Sequence, residues 1–321
     1  MKRFFKFCAI TALSMAVIGG IMLGVSSMLV GPKTISDMVA KLTNGKVVMD
    51  FKQGFHVDFG DSSLGSFLKE HAIYNIEDAG SFDKNHDIWK GDVKKTLLTE
   101  EGVRNWKLGL GGCIFELKDS GDASYYVEYT GKGKSQAYVD GDTLHVMVLN
   151  GSEWSVGNSK ECLTLYVPMG IMVEEIEAGL GAGQMVLDDL QVQKLVLDLG
   201  AGQVTAEKLQ VEQLSASVGA GEIILKDVQL KDVEVEVGAG NCEIDGTITG
   251  NVDAECAMGN LTLELTGKET DFDYEIQCVS GNITVGDREY SGLAQEQNID
   301  NGAEQSMDVE CAMGNVEILF E

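Results

Sequence analysis

Along residues 181–320 apolar and polar positions alternate in short bursts, separated by small corner residues at a fixed interval. Gly181-Ala182-Gly183 returns as Gly200-Ala201-Gly202, Gly219-Ala220-Gly221 and Gly238-Ala239-Gly240, and one more step of the same length reaches Ala257-Met258-Gly259. Looser copies follow at Val279-Ser280-Gly281 and Ala312-Met313-Gly314. Aligned on this period, Met185, Val204, Ile223, Cys242 and Leu261 form one apolar column, and Leu195, Leu214, Val233 and Val252 another. Within a repeat the sides alternate, as in Leu195-Val196-Leu197-Asp198-Leu199, which is the period of a strand with one buried face. A unit this short cannot bury that face by itself. The pattern therefore predicts a mainly β fold, a single-stranded β-solenoid of ~19-residue repeats with like residues stacked at about 4.8 Å. Gly181, Gly183, Gly200, Gly202, Gly219, Gly221, Gly238, Gly240, Gly259, Gly281 and Gly314 become its structural corners, where φ is positive or a neighbour comes close. The apolar residues do not recur at helical spacing. Gly181-x-Gly183 also lacks the third glycine of a dinucleotide loop, since position 186 is Val.

Strand patterning begins upstream at Trp106 and runs through Cys113–Leu117, Tyr125–Tyr129, Leu144–Val148 and Cys162–Val167, which predicts the start of the solenoid and a cover for its first rung. Three regions result: a cytoplasmic stub and anchor at 1–30, a mixed spacer at 31–105 and a β-solenoid ectodomain at 106–321, regular from 181. The step from Val279 to Ala312 is much longer than one period, and its polar excess, around 286–306, is expected to loop out of one corner. The last strand pattern ends at Phe320 with no helix after it. That predicts an unpaired edge open to end-to-end self-association or to a partner strand.

The N-terminus sets the compartment. Lys2, Arg3 and Lys6 precede an uncharged run from Phe7 to Val30. As a helix it would span roughly 36 Å, enough for the hydrocarbon of a bilayer and longer than a signal-peptide core. The expectation is a single uncleaved transmembrane helix over residues 7–30, with the N-terminus cytoplasmic and the C-terminal domain extracellular. The formal net charge of −27 excludes nucleic acid as a partner, because nothing supplies the clustered Lys and Arg that displace phosphate counterions.

Candidate chemistry is sparse. Asp198, Glu236 and Glu255 share one outward column, broken by Ser217, and Glu234 and Asp253 share the next. Like charges across adjacent strands repel, so these five are either a solvated face or a weak cation site. Cys242, Cys256, Cys278 and Cys311 fall in core columns, where they read as small buried hydrophobes, with a disulfide between stacked neighbours as the alternative. Gln184, Gln203, Glu222, Asn241, Asn260, Asn282 and Asn315 follow the corners and read as amides bonding along the axis or as a flat recognition ladder. The four histidines, His56, His71, His86 and His145, have no ligand spacing, and no nucleophile elbow is present. No catalytic, cofactor or specific metal site is assigned, and the expectation is a protein that is not an enzyme.

The strand Leu163-Thr-Leu-Tyr-Val-Pro168, the Gly-x-Gly repeats and the apolar N-terminus together resemble a bacterial, Firmicutes-type family of unknown function known as "putative adhesin". The resemblance covers roughly residues 106–321. Family members often carry Asp after the second Gly, where this chain has Gln184, Gln203, Glu222 and Asn241. The resemblance implies a cell-surface, membrane-anchored binding or adhesion module with an envelope or extracellular protein or glycan partner, and brings no catalytic residues. The alternative is an accessory or sensor of envelope-stress signalling that binds a neighbouring membrane protein; a carbohydrate-active solenoid would need a basic cleft, which is missing.

Overall fold

The computed structural model describes residues 48–50, 56–58, 82–100, 102–149, 161–291 and 295–321. The expected membrane span at 7–30 lies outside them; among the described residues no helix is long and apolar enough to cross a membrane. The chain divides into two units, Met1–Tyr74 and Asn75–Glu321. In the first, Val48–Asp50 pairs antiparallel with His56–Asp58.

The second unit is a stack of rungs, mainly β and solenoid-like. A regular rung has two strands with a small-residue corner between them, for example Gln191–Leu199 and Gln203–Glu207. Each strand pairs in parallel with the strand one period further on. Leu195 lies opposite Leu214, Leu214 opposite Val233, and Val233 opposite Val252. Met185, Val204, Ile223, Cys242 and Leu261 are likewise in register. These columns are the core, and all of these residues are buried. Full burial of an aliphatic side chain is worth about 1.5–3 kcal/mol, and here every such residue gains it from the adjacent rungs.

The corner glycines are needed for clearance more than for backbone conformation. Of the eleven expected corners, only Gly183 has a positive φ, 137°. At the second glycine, a Cβ would strike the rung before it in space. On Gly221 it would lie 2.5 Å from the Gly202 carbonyl oxygen and 2.8 Å from Leu199 Cδ2. The side chain pressing on this position changes along the stack, from Leu180 and Leu199 through Val218 and Val237 to Cys256 and Cys311. The opposite corner carries the strain instead: Asp189, Lys208 and Asp227, again one period apart, have φ of 54–57°.

At both ends the rungs are not stacked in chain order. The last strands, Gln305–Cys311 and Asn315–Phe320, are inserted between earlier ones. Gln305–Cys311 pairs with Val252–Cys256 on one side and Phe272–Cys278 on the other. Asn315–Phe320 pairs with Asn260–Leu265 and with Asn282–Val285. The final strand is therefore internal, and the unpaired edge expected at Phe320 does not exist. The polar excess does not loop out freely either. It supplies Arg288–Ser291 and Gln295–Ile299, which pair antiparallel with Asn282–Val285 and Phe272–Cys278 and cover the outermost rung. These capping strands are mostly exposed and rich in charge and amide, which discourages further strand addition.

The other end repeats the device. Asn105–Leu110 lies between Thr143–Leu149 and Met172–Leu180, and Ile114–Asp119 contacts both Cys162–Val167 and Gln184–Val186. Tyr125–Thr130 and Lys134–Asp140 cover the outer rung antiparallel. Trp89–Lys90 and Val93–Thr99 pair with that cover, so the sheet begins before residue 106. Val93–Thr99 escapes the pattern because its run, Val-Lys-Lys-Thr-Leu-Leu-Thr, does not alternate. As an edge strand it has no second neighbour demanding a buried face.

Gly221→Ala should lower stability by about 1–3 kcal/mol, because the methyl group meets backbone that cannot move aside. Lys208→Gly should raise it by about 0.5–1 kcal/mol by relieving a left-handed residue. Chemical denaturation of the two variants beside the parent checks both signs.

Candidate functional site

The outward face of the C-terminal rungs collects carboxylates. Glu234, Asp253, Asp308 and Glu275 stand in one register column. Glu236, Glu255, Glu310 and Gln277 stand in the next but one position of the same strands. Seven carboxylates thus occupy four adjacent strands, spaced about 4.8 Å along each column. Glu234 and Asp253 are exposed, Glu236, Glu255, Asp308 and Glu275 are half-buried, and Glu310 is only 7% exposed. Like charges stacked along one register column repel each other.

Four of the five acidic residues expected from the period, Glu234, Glu236, Asp253 and Glu255, come together here. Asp198 does not: Ser217 stands between it and Glu236. Asp308, Glu310 and Glu275 join although the period does not place them. A signal for two of them was present. Asp253-Ala-Glu-Cys-Ala-Met-Gly-Asn260 and Asp308-Val-Glu-Cys-Ala-Met-Gly-Asn315 differ at one position, and these near-copies are direct neighbours. Among the described residues no three or more His, Cys, Asp or Glu converge as a metal site.

The amides after the corners bond along the axis. Gln184 donates to Gln203 at 3.3 Å and Gln203 to Glu222 at 2.7 Å. Asn315 donates to Asn260 and Asn260 to Asn241, each at 2.9 Å. These members satisfy one another along the axis, whereas the buried Oδ1 of Asn282, at the outer end of the ladder, finds no partner. An open groove of about 760 Å³ runs past Met172, Glu174, Lys194 and Lys231, and its charged residues are paired: Glu174 with Arg104, Lys194 with Glu175, Lys231 with Glu212.

The Toastrack DUF4097 family matches this sequence over residues 115–291 and 220–318, which together take in more than half of the chain. The chain belongs to that family. Three solved structures are similar at low identity, each aligned over 73% of this chain. A "putative adhesin" from Bacteroides fragilis is 13% identical over 97% of its own chain, with a TM-score of 0.42. A "putative cell adhesion protein" from Clostridium sporogenes is 12% identical over 100%, at 0.29. A "putative lipid binding protein" from Parabacteroides distasonis is 17% identical over 98%, at 0.40. No curated protein matches.

In this Toastrack chain the cysteines Cys113, Cys242, Cys256, Cys278 and Cys311 are buried and Cys162 is half-buried. Burial pushes the thiols of Cys113 and Cys242 up to about 12. Two histidines meet at the N-terminal cover. His86, Tyr138 and His145 form a parallel stack with centroids 3.8 and 4.7 Å apart, and His86 Nδ1 lies 3.0 Å from Asp83. His56 is described only as backbone, and His71 lies outside the described residues.

Burial, with Lys107 second, holds the His145 imidazole below the usual histidine range. A depressed folded pKa favours the neutral ring, so His145 contributes stability above pH ~6.5 that is lost as the pH falls through its folded value. His145→Gln should flatten this part of the pH–stability curve as the pH falls below about 6.5, read as the shift in denaturant midpoint.

Proposed function

We propose that this Toastrack chain is a non-catalytic binding module, displayed outside the cell from a membrane anchor at residues 7–30, that engages a partner of opposite charge through the acidic face of its C-terminal rungs. One observation carries the reading: seven carboxylates in register on four adjacent strands. A rigid β stack fixes their spacing, so the face is organised before a partner arrives. A line of charge without a converging metal site suits an extended cationic partner, such as a basic peptide segment or an amine-bearing envelope polymer, better than a single chelated ion. Adhesion is the role this geometry serves, because the covered ends leave the outward side faces as the binding surface.

An oligolysine peptide is a direct probe. Its affinity should fall steeply with ionic strength, since exposed charges are screened within about 8 Å at physiological salt. Glu234→Gln with Asp253→Asn should weaken binding at least about fivefold at low salt while leaving the fold intact, because both side chains are exposed. Unchanged affinity would reject the acidic face. In-cell crosslinking of the anchored chain then identifies the natural partner. A wall polymer or a protein of another surface supports adhesion, whereas an integral membrane neighbour replaces it with an accessory role in signalling.

A further inference from the structure

Three thiols stand in one core column where the chain interleaves. Cys256, Cys311 and Cys278 are in register on three adjacent strands, continuing the column of Val237. None is more than 2% exposed. Two of the sulfurs donate to backbone of the adjoining corner, Cys256 Sγ to the Asn315 carbonyl at 3.8 Å and Cys311 Sγ to the Gly314 carbonyl at 3.1 Å. Cys256 Sγ fills the space a Cβ on Gly314 would need, and Cys311 Sγ the space beside Gly281, so the corner glycines give both sulfurs room along the axis. In-register parallel strands hold Cα atoms about 4.8 Å apart, within the ~4.4–6.8 Å that a disulfide spans. Cys256 and Cys278 are two strands apart, roughly 9.6 Å, and out of reach of each other.

We propose that this column is an oxidation site, at which a low-molecular-weight disulfide joins Cys311 to one of its two flanking cysteines and staples the inserted terminal rung in place. The way in is the end of the stack. Cys278 is covered there by Gln295–Ile299, an antiparallel strand whose residues are mostly exposed and which opens more readily than the core. The Cys278 thiolate attacks the reagent's S–S bond and expels one small thiol. Cys311 then attacks the protein-bound sulfur of the mixed disulfide and expels the second. The protein loses two protons and two electrons, and the reagent leaves as two thiols. Cys256 can displace Cys278 from Cys311 by the same exchange, so the bond moves along the column without further oxidant. Either product closes a loop through the rung that is out of chain order, the shorter from Cys278 to Cys311 and the longer from Cys256 to Cys311. Both restrict the unfolded chain. Cys242 is the internal control: equally buried, it stacks between Ile223 and Leu261 and has no thiol neighbour in its column.

The test is a disulfide map of the full chain after oxidised glutathione, alkylated and digested without reduction. Trypsin cutting at Lys268 and Arg288 puts Cys278 and Cys311 on separate peptides, and fragment ions distinguish Cys256 from Cys242. The expected result is a Cys311 peptide linked to Cys256 or Cys278, lighter by the two hydrogens lost, with Cys242 alkylated. The unfolding temperature rises on oxidation and returns with reductant. Cys311→Ala should lose both links and the rise, and Cys256→Ala should keep the Cys278–Cys311 link. A folded wild-type chain that gives no Cys311 link, only glutathione adducts, or a Cys256–Cys278 link would overturn the proposal. The wild-type map decides even where a variant fails to fold.

Discussion

A single turn of this stack has too little chain to enclose an apolar core, so each turn depends on the one lying against it. That contact is a parallel ladder in which every inward residue meets its equivalent on the next strand. Leu195 on Leu214 and Val204 on Ile223 are two instances of many. The ladder fixes the spacing, and the spacing in turn forbids a Cβ at the corners. There the carbonyl of Gly202 and the side chain of Leu199 already occupy the position a methyl group on Gly221 would take. Burial supplies the driving force and the glycines set the distance at which it acts. Both must repeat with the same period, or the register of every later rung is lost.

A stack built this way has two raw ends, each a sheet edge ready to pair with another chain. Both are closed by the same device. At each end antiparallel strands cover the outer rung, and the place just inside it is taken by a rung out of chain order. At the C-terminal end the filler is the last strand pair, held on both sides by earlier rungs. Such long-range pairing costs loop-closure entropy before any contact rewards it, which places the closing of the ends late in folding.

The acidic face and the thiol column occupy the same strands. Glu255 precedes Cys256 and Glu310 precedes Cys311, one pointing outward and the next inward, as strand alternation requires. Whatever fixes the inserted rung from within therefore also fixes the spacing of carboxylates on its surface. The family assignment names no ligand, and fold alone does not supply one.

Local chemistry determined the periodic part. Alternation, the repeated Gly-x-Gly and the constant interval between its copies are enough to give strands, parallel register, the buried columns and the axial amide ladder, because each follows from neighbours one period away. Glu234, Glu236, Asp253 and Glu255 were legible as a face for the same reason. The tertiary structure decided what happens where the period breaks. Nothing local says that residues 305–320 slide between two earlier rungs, since an apolar strand face is equally satisfied by any rung of matching pattern. The near-identity of 253–260 and 308–315 hints that they are interchangeable, but only the assembled stack makes them adjacent. That adjacency brings Asp308 and Glu310 to the acidic face and places Cys311 between Cys256 and Cys278. Pairing between distant segments is a property of the closed structure, and a period read along the chain carries no term for it.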